Sequence, residues 1–345
     1  MNSKNVITSY SDIIKYRTVW MGMAIVWVIL FHSGLKMPTL QFVKASGYGG
    51  VDIFIFASGI GCFTSLFRNP DYFGFMHRRM EKILPTYYVF LFGWLLYEGV
   101  SSRITFQQIL GNIFCVGWYL QLGHQFNWYM NGVWGLYLLA PFLVVLVKEN
   151  DSKIRSVIIF IVLILFSMTF WKTDFLMLIC RLPLFFWGMR WGYRALIGEK
   201  IGKKEKTMMI ITMIVGMIWL LIGFVSFEEY LISYGMAWYP FILITPGLCL
   251  TISLIMSYVI DWHPISRITS VFEYIGKYTF ELYLAHIFLF EVFDDLIKKE
   301  QMMESNLSWF GVIVLIIPAS TLLFFVTKGV KSLEILRTLQ RKGQN

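Results

Sequence analysis

The sequence is poor in charge. Only 15% of its 345 residues are Asp, Glu, Lys or Arg, whereas 57% are hydrophobic and 18% are aromatic. A soluble domain carries about 25% charged residues, so this composition excludes an ordinary soluble protein and indicates a membrane protein with many spans. The net charge of +9 does not call for nucleic acid as a partner, because Lys and Arg collect in the cytoplasmic loops of membrane proteins.

Cysteine is also scarce, and a cleavable leader is not expected. The four cysteines lie in apolar surroundings without CxxC spacing, which predicts reduced, packed thiols, no disulfide framework and no metal site. Residues 1–17 are polar, and the apolar run that follows lacks a small-residue cleavage pattern. The sequence has no internal repeat and no long linker. We therefore predict one transmembrane domain over residues 1–345.

Long apolar runs are abundant. A helix needs about 20 apolar residues to cross about 30 Å of hydrocarbon, and ten segments approach that length: 18–35, 47–67, 83–100, 128–147, 156–171, 175–192, 207–226, 237–260, 275–293 and 310–328. An eleventh segment, 108–122, is shorter and more polar. If it does not cross, 21 of the 30 Lys and Arg residues fall on one side of the membrane and six on the other.

The positive-inside rule assigns the richer side to the cytoplasm. We therefore predict an all-α polytopic bundle of about ten transmembrane helices in the plasma membrane. The N-terminal segment 1–17 and the tail 329–345 are then both cytoplasmic. Segment 101–127 becomes a loop at the outer face, either interfacial or re-entrant.

Two polar residues on consecutive spans are predicted at the same depth. His32 lies near the outer end of the first span, and Asp52 lies in the first turns of the second. An imidazole whose second nitrogen is held by a carboxylate is a general base with a fixed tautomer. His32 and Asp52 are therefore candidate catalytic residues. The alternative is that His32 bonds another helix and that Asp52 lies at the wet interface.

Three of the other ionisable residues within spans are candidates for a functional site, namely Arg181, Glu281 and His286. Arg181 costs at least ~2.5 kcal/mol to insert at its depth, so it requires a cavity or a partner. It either forms an anion-binding site or makes a structural ion pair with Asp52 or Glu281. Glu281 and His286 are five residues apart, about 140° around the ninth span. For both, a role in a substrate pathway and a structural role remain open.

A short basic patch precedes the third span. Arg78, Arg79 and Lys82 are about one helical turn apart. Such a patch suits phosphates, either of a nucleotide-like cofactor or of anionic lipid head groups.

Five segments in order resemble the landmarks of the membrane-bound acyltransferase-3 family. They are "MAIVWVILFHSGL", "GYGGVDIFIFASGI", "RRMEKILPTYY", "RLPLFFWGM" and "IGKYTFELYLAHIF". The segment "NWYMNGVWGLYLLAPFL" is similar to a sixth. The resemblance implies a bundle of about ten helices that passes an acyl group, commonly acetyl from acetyl-CoA, across the membrane. The acceptor is then a hydroxyl, commonly of a cell-surface carbohydrate, and no cofactor is bound permanently.

The resemblance also implies roles for particular residues. His32 occupies the family's catalytic position, Arg78 and Arg79 occupy the donor-binding pair, and Arg181 occupies the arginine before Leu-Pro. The developing negative charge of the acyl carbonyl needs hydrogen-bond donors. Arg181, Tyr129 and Asn131 are the candidates for that role.

Two positions depart from the family pattern. Met21 stands where the family usually has an arginine, and Arg17, one turn earlier on the same face, is the residue that could reach the same space. Lys82 replaces a third arginine, which keeps the charge but loses bidentate geometry. Both changes lie on the donor side.

A carrier is the main rival to a transferase. In that interpretation Arg181 and Glu281 line a path for a polysaccharide precursor or a small polar solute. A carrier needs no acyl-CoA site, so the replacement of the usual donor-side arginine by Met21 is easier to explain. The first hypothesis is an O-acyltransferase that uses acyl-CoA at the lipid bilayer, with His32 as the base.

Overall fold

The computed structural model describes residues 7–100, 103–123, 128–149, 153–227, 230–259, 263–299 and 301–342. Within these ranges the chain is helical apart from loops, short 3₁₀ turns and one isolated antiparallel bridge between Ser9 and Lys200. The α-helices are α1 (Tyr10–Ile14), α2 (Arg17–His32), α3 (Gln41–Ala45), α4 (Gly50–Arg68), α5 (Tyr72–Val100), α6 (Phe106–Ile113), α7 (Trp128–Glu149), α8 (Lys153–Met168), α9 (Leu176–Ile179), α10 (Leu182–Leu196), α11 (Lys203–Ser226), α12 (Tyr239–Val259), α13 (His263–Lys277), α14 (Thr279–Lys298) and α15 (Asn306–Lys342).

All ten predicted spans coincide with helices. Among the residues that the structure describes, six helical segments are long and apolar enough to cross a membrane, and they coincide largely with α4, α5, α7, α11, α12 and α15. The helices α2 and α8 are apolar but shorter. The sixth predicted span is divided between α9 and α10, and the ninth is α14. The protein is therefore an all-α polytopic membrane protein, as predicted.

Segment 108–122 does not form a helix of span length. Only α6 is helical there, and turns follow it. The hydroxyls of Tyr87 and Tyr88 on α5 donate to the carbonyl oxygens of Asn112 (2.7 Å) and Ile113 (3.1 Å). These hydrogen bonds fasten the end of α6 to α5, so the interpretation of this segment as a loop agrees with the structure.

The helices group into two compact units. The first comprises Met1–Val28, Ser46–Tyr72 and Gly132–Lys277. The second comprises Ile29–Ala45, Phe73–Asn131 and Tyr278–Asn345. The single domain expected over residues 1–345 stays a prediction.

In the first unit, glycines let α4 and α10 pack with their backbones in contact. A Cβ atom on Gly59 would overlap the carbonyl oxygen of Phe185, and one on Gly188 would overlap that of Phe56. Because no side chain separates these backbones, polar groups on the two helices can meet directly. This packing brings the first turn of α4 near the residue that precedes α10.

The N-terminal helix α1 begins with a capping box. The Asp12 carboxylate accepts hydrogen bonds from the backbone N–H groups of Thr8 (2.9 Å) and Ser9 (3.0 Å), and the Ser9 hydroxyl accepts from the Asp12 N–H. Burial raises the pKa of the Asp12 carboxyl, but the hydrogen bonds from Thr8 and Ser9 outweigh it and hold that pKa below its usual range. Tyr10 packs against Trp191 with ring centroids 5.3 Å apart, which docks α1 onto α10.

In the second unit, α5 and α14 lie side by side and are joined by hydrogen bonds. Trp94 Nε1 donates to Glu291 (2.9 Å), and the Tyr97 hydroxyl donates to Asp295 (2.6 Å). On another face of α14, the buried Trp309 of α15 packs against this helix. These contacts hold α14, which carries His286, on two sides.

Candidate active site

Two histidines of the second unit lie against each other. His32 is the last residue of α2 and is exposed, whereas His286 on α14 is completely buried. His286 Nε2 lies 3.4 Å from His32 Nδ1, and the ring centroids are 5.2 Å apart. The distance is at the long end for a hydrogen bond between nitrogens. We call this pair the histidine dyad.

The backbone determines the proton positions of the neutral dyad. His286 Nδ1 lies 3.2 Å from the carbonyl oxygen of Leu282. A carbonyl oxygen only accepts, so Nδ1 of His286 carries the proton and Nε2 carries the lone pair. The contact with His32 then requires that His32 Nδ1–H is the donor. The lone pair of His32 is left on Nε2, which is the arrangement that a general base needs.

Aromatic side chains surround the buried half of the dyad. Tyr283, one turn before His286, lies 5.4 Å from it between ring centroids, and Phe290, one turn after it, lies 5.7 Å away. Tyr129, at the start of α7, in turn lies 5.1 Å from Tyr283. Tyr129 is therefore linked to the dyad through a single intervening ring. These apolar walls lower the local dielectric constant and strengthen polar contacts within them.

Asp52 and Arg181 form a bidentate ion pair in the first unit. Arg181 Nε and Nη2 each donate to one carboxylate oxygen of Asp52, both at 3.0 Å. Arg181 Nη1 also donates to the carbonyl oxygen of Met177. The side chains of Asp52 and Arg181 are 0% and 2% exposed. The pair is thus fully desolvated and held by geometry that suits a guanidinium.

Of the two roles that the sequence left open for Arg181, the structure shows the ion pair, and its partner is Asp52. Both oxygens of Asp52 are engaged by Arg181, whereas the dyad contact of His32 is made by His286. The contact between His32 and His286 was not predicted from the sequence. An orienting role of Asp52 toward His32 and an anion site at Arg181 both stay predictions.

The basic patch lies at the start of α5. Arg78 and Lys82 are exposed, and Arg79 is half-buried. Glu281, in the first turn of α14, is half-buried, and the charges of Lys331 and Lys82 act on its carboxylate. Lys82, a member of the basic patch, is thus within electrostatic range of Glu281.

The remaining candidates lie elsewhere. Arg17 is half-buried and begins α2, the helix that His32 ends. Asn131 is 2% exposed, and its carbonyl oxygen accepts a hydrogen bond from the Tyr119 hydroxyl (2.9 Å). The sequence offered one signal for the dyad, because it has a histidine in each of two apolar spans. Helical periodicity, however, cannot show which residues of different helices lie in contact.

Comparison with known proteins gives the family. The family model Acyl_transf_3, described as an acyltransferase domain, matches residues 20–327, which include both histidines of the dyad. No curated protein and no solved structure matches the chain. The chain belongs to the acyltransferase-3 family and is a membrane acyltransferase.

Proposed function

We propose that the protein is an O-acetyltransferase of the plasma membrane. It moves the acetyl group of acetyl-CoA to a hydroxyl of an extracytoplasmic carbohydrate, with both chain termini in the cytoplasm. The observation that carries this proposal is the histidine dyad, because it leaves a lone pair on Nε2 of an exposed imidazole at the end of a membrane helix.

The reaction needs a base. As the acceptor oxygen bonds to the thioester carbonyl carbon, His32 Nε2 takes the hydroxyl proton, and the His32 imidazolium keeps its Nδ1–H bond to His286. When the tetrahedral intermediate collapses, the C–S bond breaks and the proton passes from His32 to the leaving CoA sulfur. The products are an acetyl ester and CoA. A positioned histidine of this kind contributes typically 10²–10⁴-fold to the rate.

The basic patch is proposed to hold the donor. Arg78, Arg79 and Lys82 bind the phosphates of acetyl-CoA, and Arg17 supplies a cation in place of the arginine that Met21 replaces. Lys82 acts on Glu281 at the start of α14, and His286 follows five residues later, about 7.5 Å along the helix. In this proposal the phosphates lie near the first turn of α14, and the thioester extends along that helix toward His286.

The carbonyl oxygen requires hydrogen-bond donors when its charge develops. Tyr129 and Asn131 are proposed for this role. Arg181 is not, because its guanidinium is already engaged by Asp52 and Met177.

The experiment is release of CoA from acetyl-CoA by detergent-purified protein. His32→Ala should lower the rate about 10²–10⁴-fold. His77→Ala is the matched control, because His77 is an exposed histidine whose contact is Glu81 on the same helix (3.5 Å). Equal rates for wild type and His32→Ala would refute the role of His32. If neither acetyl-CoA nor another short acyl-CoA is consumed, in the presence of envelope carbohydrate, the transferase proposal fails and the carrier is favoured.

A further inference from the structure

The loop that follows His32 is fastened to the first turn of α15. The Asn306 side chain accepts a hydrogen bond from the Lys36 N–H (2.8 Å) and donates one to the Lys36 carbonyl oxygen (3.1 Å). One side chain thus satisfies both backbone groups of a residue four positions after His32. Such a pair of bonds fixes the path of a loop that has no helical hydrogen bonds of its own.

Gly34 lies directly against Trp309. A Cβ atom on Gly34 would overlap the indole ring, so the chain approaches the ring as closely as its backbone allows. Trp309 is 4% exposed and packs edge-on against Phe290 (5.3 Å) and Phe293 (4.8 Å) of α14. The indole therefore contacts both the loop after α2 and α14.

These contacts close a ring around the dyad. Trp309 touches the chain two residues after His32, and it touches Phe290, which packs on His286. His286 in turn contacts His32 at 3.4 Å. The indole is thus connected to His286 through Phe290 and to His32 through the chain at Gly34.

We propose that Asn306 and Trp309, which we call the α15 clamp, are positioning residues that set the distance between His32 and His286. The proposal rests on the proposed function of His32 as a base. The dyad contact is already long, so a few tenths of an ångström more would lose it. Misplacement of a catalytic group by about 1 Å can cost about 10²-fold in rate.

The substitutions separate positioning from bulk packing. The indole N–H of Trp309 has no hydrogen-bond partner in the part of the chain that the structure describes, so Trp309→Phe removes only shape and area. Asn306→Ala removes both bonds to Lys36, whereas Asn306→Asp keeps the acceptor for the Lys36 N–H. Trp191→Phe is the matched control, because Trp191 is also fully buried and its N–H is likewise unpartnered among the described residues.

The first readout does not depend on activity. Detergent-purified protein is treated with diethyl pyrocarbonate, and peptide mass spectrometry gives the extent of modification of each histidine. In wild type the exposed His32 reacts and the buried His286 is protected. Trp309→Phe and Asn306→Ala should raise the reaction of His286 relative to His32 at least tenfold at a temperature far below unfolding. Asn306→Asp should be intermediate, and Trp191→Phe should match wild type.

The second readout is kinetic. The clamp variants should lower kcat for CoA release at least tenfold with KM for acetyl-CoA unchanged, because they disturb the base and not the donor site. The proposal is overturned if the melting temperature falls while the protection of His286 and kcat stay at wild-type values. If the clamp variants lose the protection of His286 but wild-type protein releases no CoA, the positioning role of the α15 clamp is upheld. The proposed function is then refuted.

Discussion

Replacing the buried histidine of the dyad tests how it assists the exposed one. His286→Phe fills similar space but removes the acceptor for His32 Nδ1–H. A hydrogen bond to a charged group is worth about 1.5–3 kcal/mol, and the 3.4 Å separation argues for the lower end. At 1.36 kcal/mol per factor of ten, kcat should fall about tenfold. Because the bond is strongest when His32 is protonated in the transition state, KM for acetyl-CoA should not change.

The assay is steady-state release of CoA by purified protein, with the melting temperature of each variant measured in the same detergent. His286→Gln is the matched rescue, because its amide oxygen can accept the proton at the position of Nε2. It should keep at least a third of the wild-type kcat. A fully folded His286→Phe variant within twofold of wild type would refute the argument, as would equal rates for the Phe and Gln variants.

Three further predictions follow from other parts of the chain. Arg181→Met leaves the buried Asp52 carboxylate unpaired and should destabilise the protein by about 3–5 kcal/mol. In thermal unfolding, the double variant with Asp52→Leu should recover at least half of this loss. A wild-type melting temperature for Arg181→Met would contradict the account. Arg78→Gln should raise KM for acetyl-CoA roughly fivefold at low salt and little at high salt, whereas Arg68→Gln, an exposed control, should not; equal KM values would remove Arg78 from the donor site. The pKa of Asp12 is lowered in the folded state by its hydrogen bonds, against the effect of burial, so its stabilisation is complete above the unfolded value of about 3.9 and is lost as the pH falls through the folded pKa. Limited proteolysis should therefore release the N-terminal segment more readily near pH 3 than at pH 6 in wild type, and Asp12→Asn should abolish that difference.

The helices could be predicted because their signal is local. Each of the ten apolar runs overlaps one or two helices, and six helices among the described residues are long and apolar enough to cross a membrane, whereas 108–122 holds no helix of that length. The ends of a helix were harder to predict where a proline or a buried ion pair interrupts an apolar run. The sixth predicted span breaks between α9 and α10, where Pro183 has no N–H to donate and where Arg181 turns toward Asp52.

The pairing of polar residues could not be predicted in the same way. The sequence places His32 and Asp52 at one depth on consecutive helices, but depth does not give the rotation of a helix about its axis, so their contact stays a prediction. Gly59 and Gly188 let α4 pack closely against α10, and Asp52 on α4 forms its ion pair with Arg181. His286 contacts His32 from a helix more than 200 residues away in sequence, and the presence of a histidine in each span does not by itself show that the two side chains meet.

The central claim is that His32 is the base for acyl transfer across the membrane. The most direct measurement uses sealed inside-out vesicles from cells that make the protein, supplied with acetyl-CoA labelled in the acetyl group. The label recovered as base-labile ester on carbohydrate in the vesicle lumen is then counted. We expect lumenal ester with wild type and with His77→Ala, and a loss of at least 100-fold with His32→Ala at equal protein level. Lumenal ester at the wild-type rate with His32→Ala would contradict the account.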